Sequence, residues 1–209
     1  MKKNHGSQKN RFIQWIIDID YRSAKWFYTQ NPKLIPLLKI ISLLGTIQFW
    51  VILGILMFII GVFFDQSIEN FSVLMFMGVI VSLSTISILK IIVKRKRPYQ
   101  DQKLREITNQ EFVNREPYIS KAQQSFPSGH MFYWLMEFVF FYYHFGPWVL
   151  IPFLTILPLI FTSRIYLGVH FLSDVLVGSL MGILFGFLTH FVFDMYILPL
   201  YIKWVAVFF

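Results

Sequence analysis

Between Ile47 and Phe64 the chain carries no charged side chain, and none occurs from Phe71 to Leu89. In hydrocarbon every backbone N–H and C=O must be satisfied inside the segment, so such runs span as helices, at ~20 residues each. Three further apolar runs lie at about Ser128–Phe145, Pro147–Thr162 and Val169–Phe193. The first run belongs to a longer apolar region, Leu34–Phe64, whose start holds Lys39 and Gly45. The expected fold is an all-α polytopic transmembrane bundle with about five spanning helices. Only 14% of the 209 residues are charged and 56% are apolar, whereas a soluble domain is nearer a quarter charged. The length fits one bundle, a single integral-membrane domain over 1–209. With no cysteine, disulfides, thiolate metal sites and thiol catalysis are excluded.

The segments outside the runs are short, with one exception. Residues 1–34 form an N-terminal region without a visible cleavable signal, because the apolar piece Phe12–Ile17 is too short for one. Residues 11–30 read as an interfacial amphipathic helix with Trp15, Trp26, Phe27 and Tyr28 at headgroup level, the alternative being a connecting loop. Asp65, Gln66, Glu69 and Asn70 read as a turn between the first two spans. Residues 94–127 form a polar loop. Its stretch Lys94–Gln124 lacks apolar periodicity and is longer than an ordinary connection. Residues 195–209, broken by Pro199 and Lys203, read as an interfacial or re-entrant tail.

Alternating direction constrains the layout. The second span ends at Lys90–Pro98, the third starts at Pro127–His130, the fourth ends at Ser163-Arg164, and the fifth starts near His170–Asp174. All four ends fall on one membrane face, so residues far apart in the chain converge there. A charged group at the edge of an apolar segment needs a purpose. His170 and Asp174 are spaced i, i+4 and share a helical face, so the carboxylate can accept the imidazole N–H and fix its tautomer. Gly168 permits a turn that brings Arg164 over the same place, and a guanidinium suits phosphate oxygens. Lys90 and Arg97 share a face if their helix continues, and Pro98 holds Arg97 extended. Pro127-Ser128-Gly129-His130 opens a helix, whose free N–H groups form an anion site. His130 is placed as a general acid. The set suits a phosphate monoester or diphosphate. Each piece alone also has a plain reading as cap, anchor or salt bridge.

The joint pattern K-x(6)-R-P, P-S-G-H and S-R-x(5)-H-x(3)-D resembles the type-2 phosphatidic acid phosphatase family, whose three signature motifs are these. The match covers residues 90–174 and is complete at each fixed position. The resemblance implies that His170 is the nucleophile, forming a phosphohistidine, with Asp174 as its partner and His130 protonating the leaving lipid alcohol. It implies that Lys90, Arg97, Ser128, Gly129 and Arg164 hold the phosphoryl oxygens, without metal or other cofactor. Many bacterial members have six spans, against five counted here. Glu137, two turns inside the third span, is costly in a membrane and reads first as a structural hydrogen-bonding group. His144 and His190 lie away from the catalytic face and read as structural.

The expected activity is a metal-independent lipid phosphatase, a phosphoric ester hydrolase acting on phosphatidylglycerophosphate, phosphatidic acid or undecaprenyl diphosphate. Undecaprenyl-diphosphate phosphatase specifically is one alternative, and transfer of the phosphoryl group to an acceptor other than water is another. A non-catalytic lipid-phosphate binding or transport protein is the rival from a different class. The expected partners are a phosphorylated lipid and the bilayer, not nucleic acid, since no separate basic soluble domain exists. The net charge of +8 suits anionic headgroups and phosphate. Two arguments on orientation conflict. The basic residues on the catalytic side, including Lys2, Lys3, Lys9, Arg11, Arg22, Lys25, Lys33 and Lys121, favour the cytoplasm by the positive-inside rule. The resemblance favours the extracytoplasmic face, which is the expectation adopted.

Overall fold

A computed structural model describes residues 5–116 and 124–208. Lys2, Lys3 and Lys121 therefore lie outside the described residues, as does the stretch 117–123 of the polar loop. Each apolar run becomes a helix. They are α3 (Ile47–Phe64), α4 (Gln66–Val93), α6 (Gly129–Phe145), α7 (Leu150–Tyr166) and α8 (Leu172–Val192). Ahead of them stand α1 (His5–Tyr28) and α2 (Ile35–Leu43), while α5 (Gln102–Thr108) lies in the loop and α9 (Leu198–Phe208) ends the chain. Among the described residues, four stretches are long and apolar enough to cross a membrane: Ile47–Phe64, Gln66–Val93, Pro147–Tyr166 and Leu172–Val205. α6, at 17 residues, is at the short end of the spanning range. It is the central helix, packed against α4, α7 and α8, and it buries residues from His130 to Phe140. Lipid-facing surface is carried by side chains such as Phe63, Phe64, Ile91 and Ile151.

Several boundaries differ from the sequence reading, each for a local reason. The polar residues Gln66–Asn70 are helical rather than a turn. Asp65 alone reverses the chain and caps α4, its Oδ1 accepting the Ser67 N–H at 2.8 Å. Gly61 lets α3 approach this first turn of α4; a Cβ there would lie 2.2 Å from the Glu69 amide nitrogen. The loop is not wholly irregular, because α5 is capped by Asp101, whose Oδ1 accepts the Leu104 N–H at 3.2 Å. The tail is not broken at Pro199 or Lys203. A π-turn at Phe193–Ile197 carries α8 into α9 in a continuous helical path. The widened turn accommodates Pro199, which has no N–H to give.

α1 is amphipathic and docked. Its outer face exposes Phe12, Trp15 and Trp26, whereas Asp20, Tyr21, Ala24 and Tyr28 are buried. The buried side packs on α5, α7 and α8. Tyr21 Oη donates to Asp101 Oδ2 at 3.0 Å, and Tyr28 Oη accepts the Val113 N–H at 2.8 Å.

Close packing also joins α6 to α8 along Gly178, Gly182 and Gly186. Small residues let helices approach where lipid supplies no hydrophobic drive. A Cβ on Gly178 would lie 2.5 Å from the Ser128 carbonyl oxygen, a backbone atom that cannot swing aside. Gly178→Val is therefore expected to push the start of α6 off α8, lowering stability by roughly 1–3 kcal/mol. Turnover should fall more than the melting temperature implies. Gly54→Ala, which meets only the Phe76 ring edge at 3.2 Å, should be mild in both assays.

Candidate active site

The four predicted helix ends do meet. A cavity of about 140 Å³ is lined by Lys90, Arg97, Gly129, His130, Arg164 and His170, with Thr46, Gln48, Ile86 and Tyr133 completing the wall. Each motif reaches it by a different local device.

α4 stops at Val93, because Lys94 takes a left-handed conformation with φ 49°. Lys90 and Arg97 therefore do not share a helical face, as the continued-helix expectation required. Arg97 returns in extended conformation, φ −80° and ψ 158°, the geometry that a following proline favours. It is 1% exposed. Ser125 pins this strand-like segment, its N–H donating to the Arg95 carbonyl at 2.8 Å and its Oγ to the Lys96 carbonyl at 3.0 Å.

The start of α6 is tied to α8 by the Ser128 N–H, which donates to the Asp174 carbonyl at 3.0 Å. Ser128 does not cap α6 with its side chain. Its Oγ is instead buried, with no hydrogen-bond partner among the described residues. Gly45, in the turn before α3, backs His130; a Cβ there would lie 3.0 Å from the imidazole Cδ2. Nε2 of His130 is likewise buried and without a hydrogen-bond partner among the described residues.

α7 runs on to Tyr166, so Ser163 and Arg164 sit inside its last turn. Gly168, φ 72°, then reverses the chain, and the Val169 and His170 N–H groups both donate back to the Arg164 carbonyl, at 3.3 and 3.2 Å. The turn delivers His170 to the cavity. Burial, and then the cations Arg97, Arg164 and Lys90, hold the His170 imidazole well below its ordinary pKa, so it is neutral with a free lone pair at pH 7.

Asp174 sits behind His170 as expected, but the expected bond is longer. Oδ2 lies 3.7 Å from His170 Nδ1, beyond hydrogen-bond range, and accepts the Phe171 N–H at 2.9 Å instead. Catalytic hydrogen bonds commonly tighten only with substrate in place.

The sequence reading missed Glu116 and Ser42. Arg164 does not project freely into the cavity. Its Nη2 donates to Glu116 Oε2 at 2.6 Å and its Nη1 to Glu116 Oε1 at 3.0 Å. Nη1 also meets Ser42 Oγ, which itself donates to Glu116 Oε1 at 2.6 Å. Burial pushes the Glu116 carboxyl up, but Arg164 and Ser42 outweigh it and hold it below the usual carboxylate range. The guanidinium is thus fixed from behind, and its buried Nε has no hydrogen-bond partner among the described residues.

Away from this face, His144 and His190 line a second cavity at the opposite end of the bundle with Asn70 and Asp194. Glu137 is buried inside α6, and its Oε2 has no hydrogen-bond partner among the described residues, so the bond expected for that oxygen is not seen there.

Residues 71–197, more than half of the chain, match the family model of the PAP2 superfamily. The chain belongs to the PAP2 superfamily. All three motifs lie within the matched PAP2 region. The fold is similar to that of a transmembrane PAP2-type phosphatidylglycerolphosphate phosphatase from Bacillus subtilis, at 23% identity and TM-score 0.67, over 93% of this chain and 89% of that one. It is also similar to LpxE of Aquifex aeolicus, at 18% identity and TM-score 0.52, over 79% of this chain and 91% of that one. No curated protein sequence matches. The chain is a membrane protein of this superfamily, and its polytopic helical bundle is the PAP2 fold.

Proposed function

We propose that this protein is a membrane-embedded lipid phosphatase, formed as one domain, that works through a phosphohistidine. One observation carries the reading: Lys90, Arg97 and Arg164 meet His130 and His170 in one cavity at the ends of lipid-facing helices. A phosphate headgroup entering it replaces water with fixed donors, which favours the charge developing in the transition state. Lys90, Arg97, the Arg164 Nε–H, the Ser128 hydroxyl and the backbone at Gly129 hold the phosphoryl oxygens. His170 attacks phosphorus, forming a P–N bond as the P–O bond to the lipid breaks. His130 gives its proton to the leaving lipid oxygen, then takes one from the water that attacks the phosphohistidine. Inorganic phosphate leaves and both histidines are restored. Asp174 stabilises the imidazolium formed at His170. No step calls on a metal or other cofactor.

The Bacillus subtilis neighbour is named a phosphatidylglycerolphosphate phosphatase, which makes phosphatidylglycerophosphate the first substrate to test, beside phosphatidic acid and undecaprenyl diphosphate. Purified protein is expected to release phosphate from at least one of the three in the presence of EDTA. Release from none of them, or release only after a divalent ion is restored, overturns the reading.

We propose, on the family resemblance alone, that the cavity opens on the extracytoplasmic face. The chain has no cysteine, so single thiols report orientation cleanly. Glu111→Cys, exposed in the loop, is expected to react with an impermeant thiol reagent on intact cells, and Ser67→Cys, exposed at the opposite end, to react only after lysis. The reverse pattern places the cavity in the cytoplasm.

A further inference from the structure

In sequence, Arg95 is one of four consecutive basic residues, Lys94–Arg97, that read as a membrane-edge anchor. In the structure Lys94 and Lys96 are exposed, whereas Arg95 turns inward, its side chain 25% exposed. Its Nη1 donates to Asp174 Oδ1 at 2.6 Å and to Ser173 Oγ at 2.6 Å. Its Nη2 donates to Asp20 Oδ2 at 2.5 Å. Asp20, in the middle of α1 and 1% exposed, also accepts the Ser173 N–H at 2.8 Å and the Ser173 hydroxyl at 2.6 Å. The guanidinium lies 4.3 Å from the centre of the Phe171 ring. A salt bridge that only anchored α1 would need one carboxylate. Here one guanidinium joins the first turn of α8 to α1, and one of the two carboxylates is the partner of His170.

We propose that Arg95 and Asp20 are positioning residues for the Asp174–His170 pair, so that the N-terminal amphipathic helix is a working part of the catalytic centre. The inference rests on the reading of His170 as nucleophile. Arg95 takes Oδ1 of Asp174 and the Phe171 N–H takes Oδ2, which fixes the carboxylate plane with Oδ2 towards His170 Nδ1. Arg95 alone would also neutralise Asp174 and blunt its effect on the imidazolium. Asp20 supplies a second carboxylate, so two carboxylates share the one guanidinium behind the nucleophile. The other charged or titratable groups around His170 are Lys90, Arg97, Arg164 and, across the cavity, His130. Neither Arg95 nor Asp20 lines the cavity, so they act on the nucleophile without touching substrate.

The test uses the full-length protein in micelles with Asp20→Asn, Asp20→Glu, Arg95→Gln and Arg95→Lys, and the exposed neighbour Lys94→Gln as control. Two readouts are taken: kcat and KM on a lipid phosphate that the wild type hydrolyses, and the titration of His170 followed by side-chain NMR. Asp20→Asn is expected to lower kcat by on the order of tenfold to a hundredfold, the scale for groups that orient a reacting side chain from behind, with KM unchanged. Asp20→Glu restores part of it. Losing the negative charge in Asp20→Asn moves the His170 titration to lower pH, and losing the positive charge in Arg95→Gln moves it to higher pH. Arg95→Lys keeps the charge and so the titration, but loses the two-sided bond and part of kcat. A purely structural pair would lower the folded fraction while the surviving enzyme kept the wild-type kcat and titration; that result overturns the inference and leaves the phosphatase reading intact. If no lipid is hydrolysed the phosphatase reading fails, and if His170→Ala stays active its nucleophile is another group; in either case the NMR shifts still decide whether Asp20 and Arg95 act on His170.

Discussion

Replacing His170 by alanine is expected to abolish phosphate release, by on the order of 10⁴-fold or more, the scale on which enzymes lose a nucleophile. The expectation is sharp because, of the two imidazoles in the cavity, His170 is the one with a carboxylate, Asp174, behind it. His130 starts a different helix and is proposed to serve the leaving group, and Lys90, Arg97 and Arg164 are proposed to hold the phosphoryl oxygens. The variant should stay folded. The imidazole is 2% exposed and its Nδ1 has no hydrogen-bond partner among the described residues; truncation costs its hydrogen bond with the Ser125 backbone, while Asp174 keeps its bonds to Phe171 and Arg95. Acid-stable label on protein quenched during turnover should be absent, while acid-labile phosphoprotein seen in the wild type should vanish in His170→Ala. Retained turnover would mean that the cavity binds phosphate and some other group attacks it. Asp174→Asn is a poorer probe than its reputation in such pairs implies. Asp174 also accepts from Phe171 and Arg95, and an amide offers one acceptor oxygen for those two donors, so stability should fall along with rate.

How far the sequence revealed this arrangement depended on whether a residue's role is local. The apolar run of α3 was read with the same limits it has in the fold, Ile47–Phe64, because hydrocarbon tolerates little else there. The convergence of Lys90, Arg97, His130, Arg164 and His170 followed from alternating direction alone, and the cavity unites them. What stayed hidden was tertiary. Asp20 sits in an amphipathic helix, where a carboxylate reads as solvent-facing, and only the docking of α1 on α8 turns it inward. Glu116 stands in a polar loop with both charge signs, and nothing local distinguishes it from Glu111. Arg95 was masked by its basic neighbours. A trace of α5 was present, since Leu104, Thr108 and Phe112 are buried at intervals of four, but a pattern this short is outweighed by the surrounding polarity. The helical continuation through the tail stayed hidden because Pro199 normally ends a helix, and a π-turn that absorbs it has no sequence signature.

Arg164→Lys carries the other large expected effect, and its argument runs through Glu116. On the proposed reading an arginine here does two things at once: two nitrogens satisfy the buried Glu116, and Nε, without a hydrogen-bond partner among the described residues, is left for a phosphoryl oxygen. Lysine has a single nitrogen on a flexible stem. It can meet Glu116 or the phosphate, not both, and the carboxylate is always present. Lysine should therefore settle on Glu116, preserve most of the stability and lower kcat/KM by on the order of 10²- to 10³-fold, as for loss of one preorganised donor to developing charge. Arg164→Met should be worse in a different way, because it leaves the Glu116 carboxylate buried and unpaired at a cost of about 3–5 kcal/mol. Adding Glu116→Gln to Arg164→Met removes that charge and keeps an acceptor for Ser42, so thermal stability should largely return while turnover does not. This pair of results separates the two roles. Recovery of turnover together with stability in the double variant would show that Arg164 only fastens the loop to α7. Near-normal kinetics in Arg164→Lys would say the same without the second substitution.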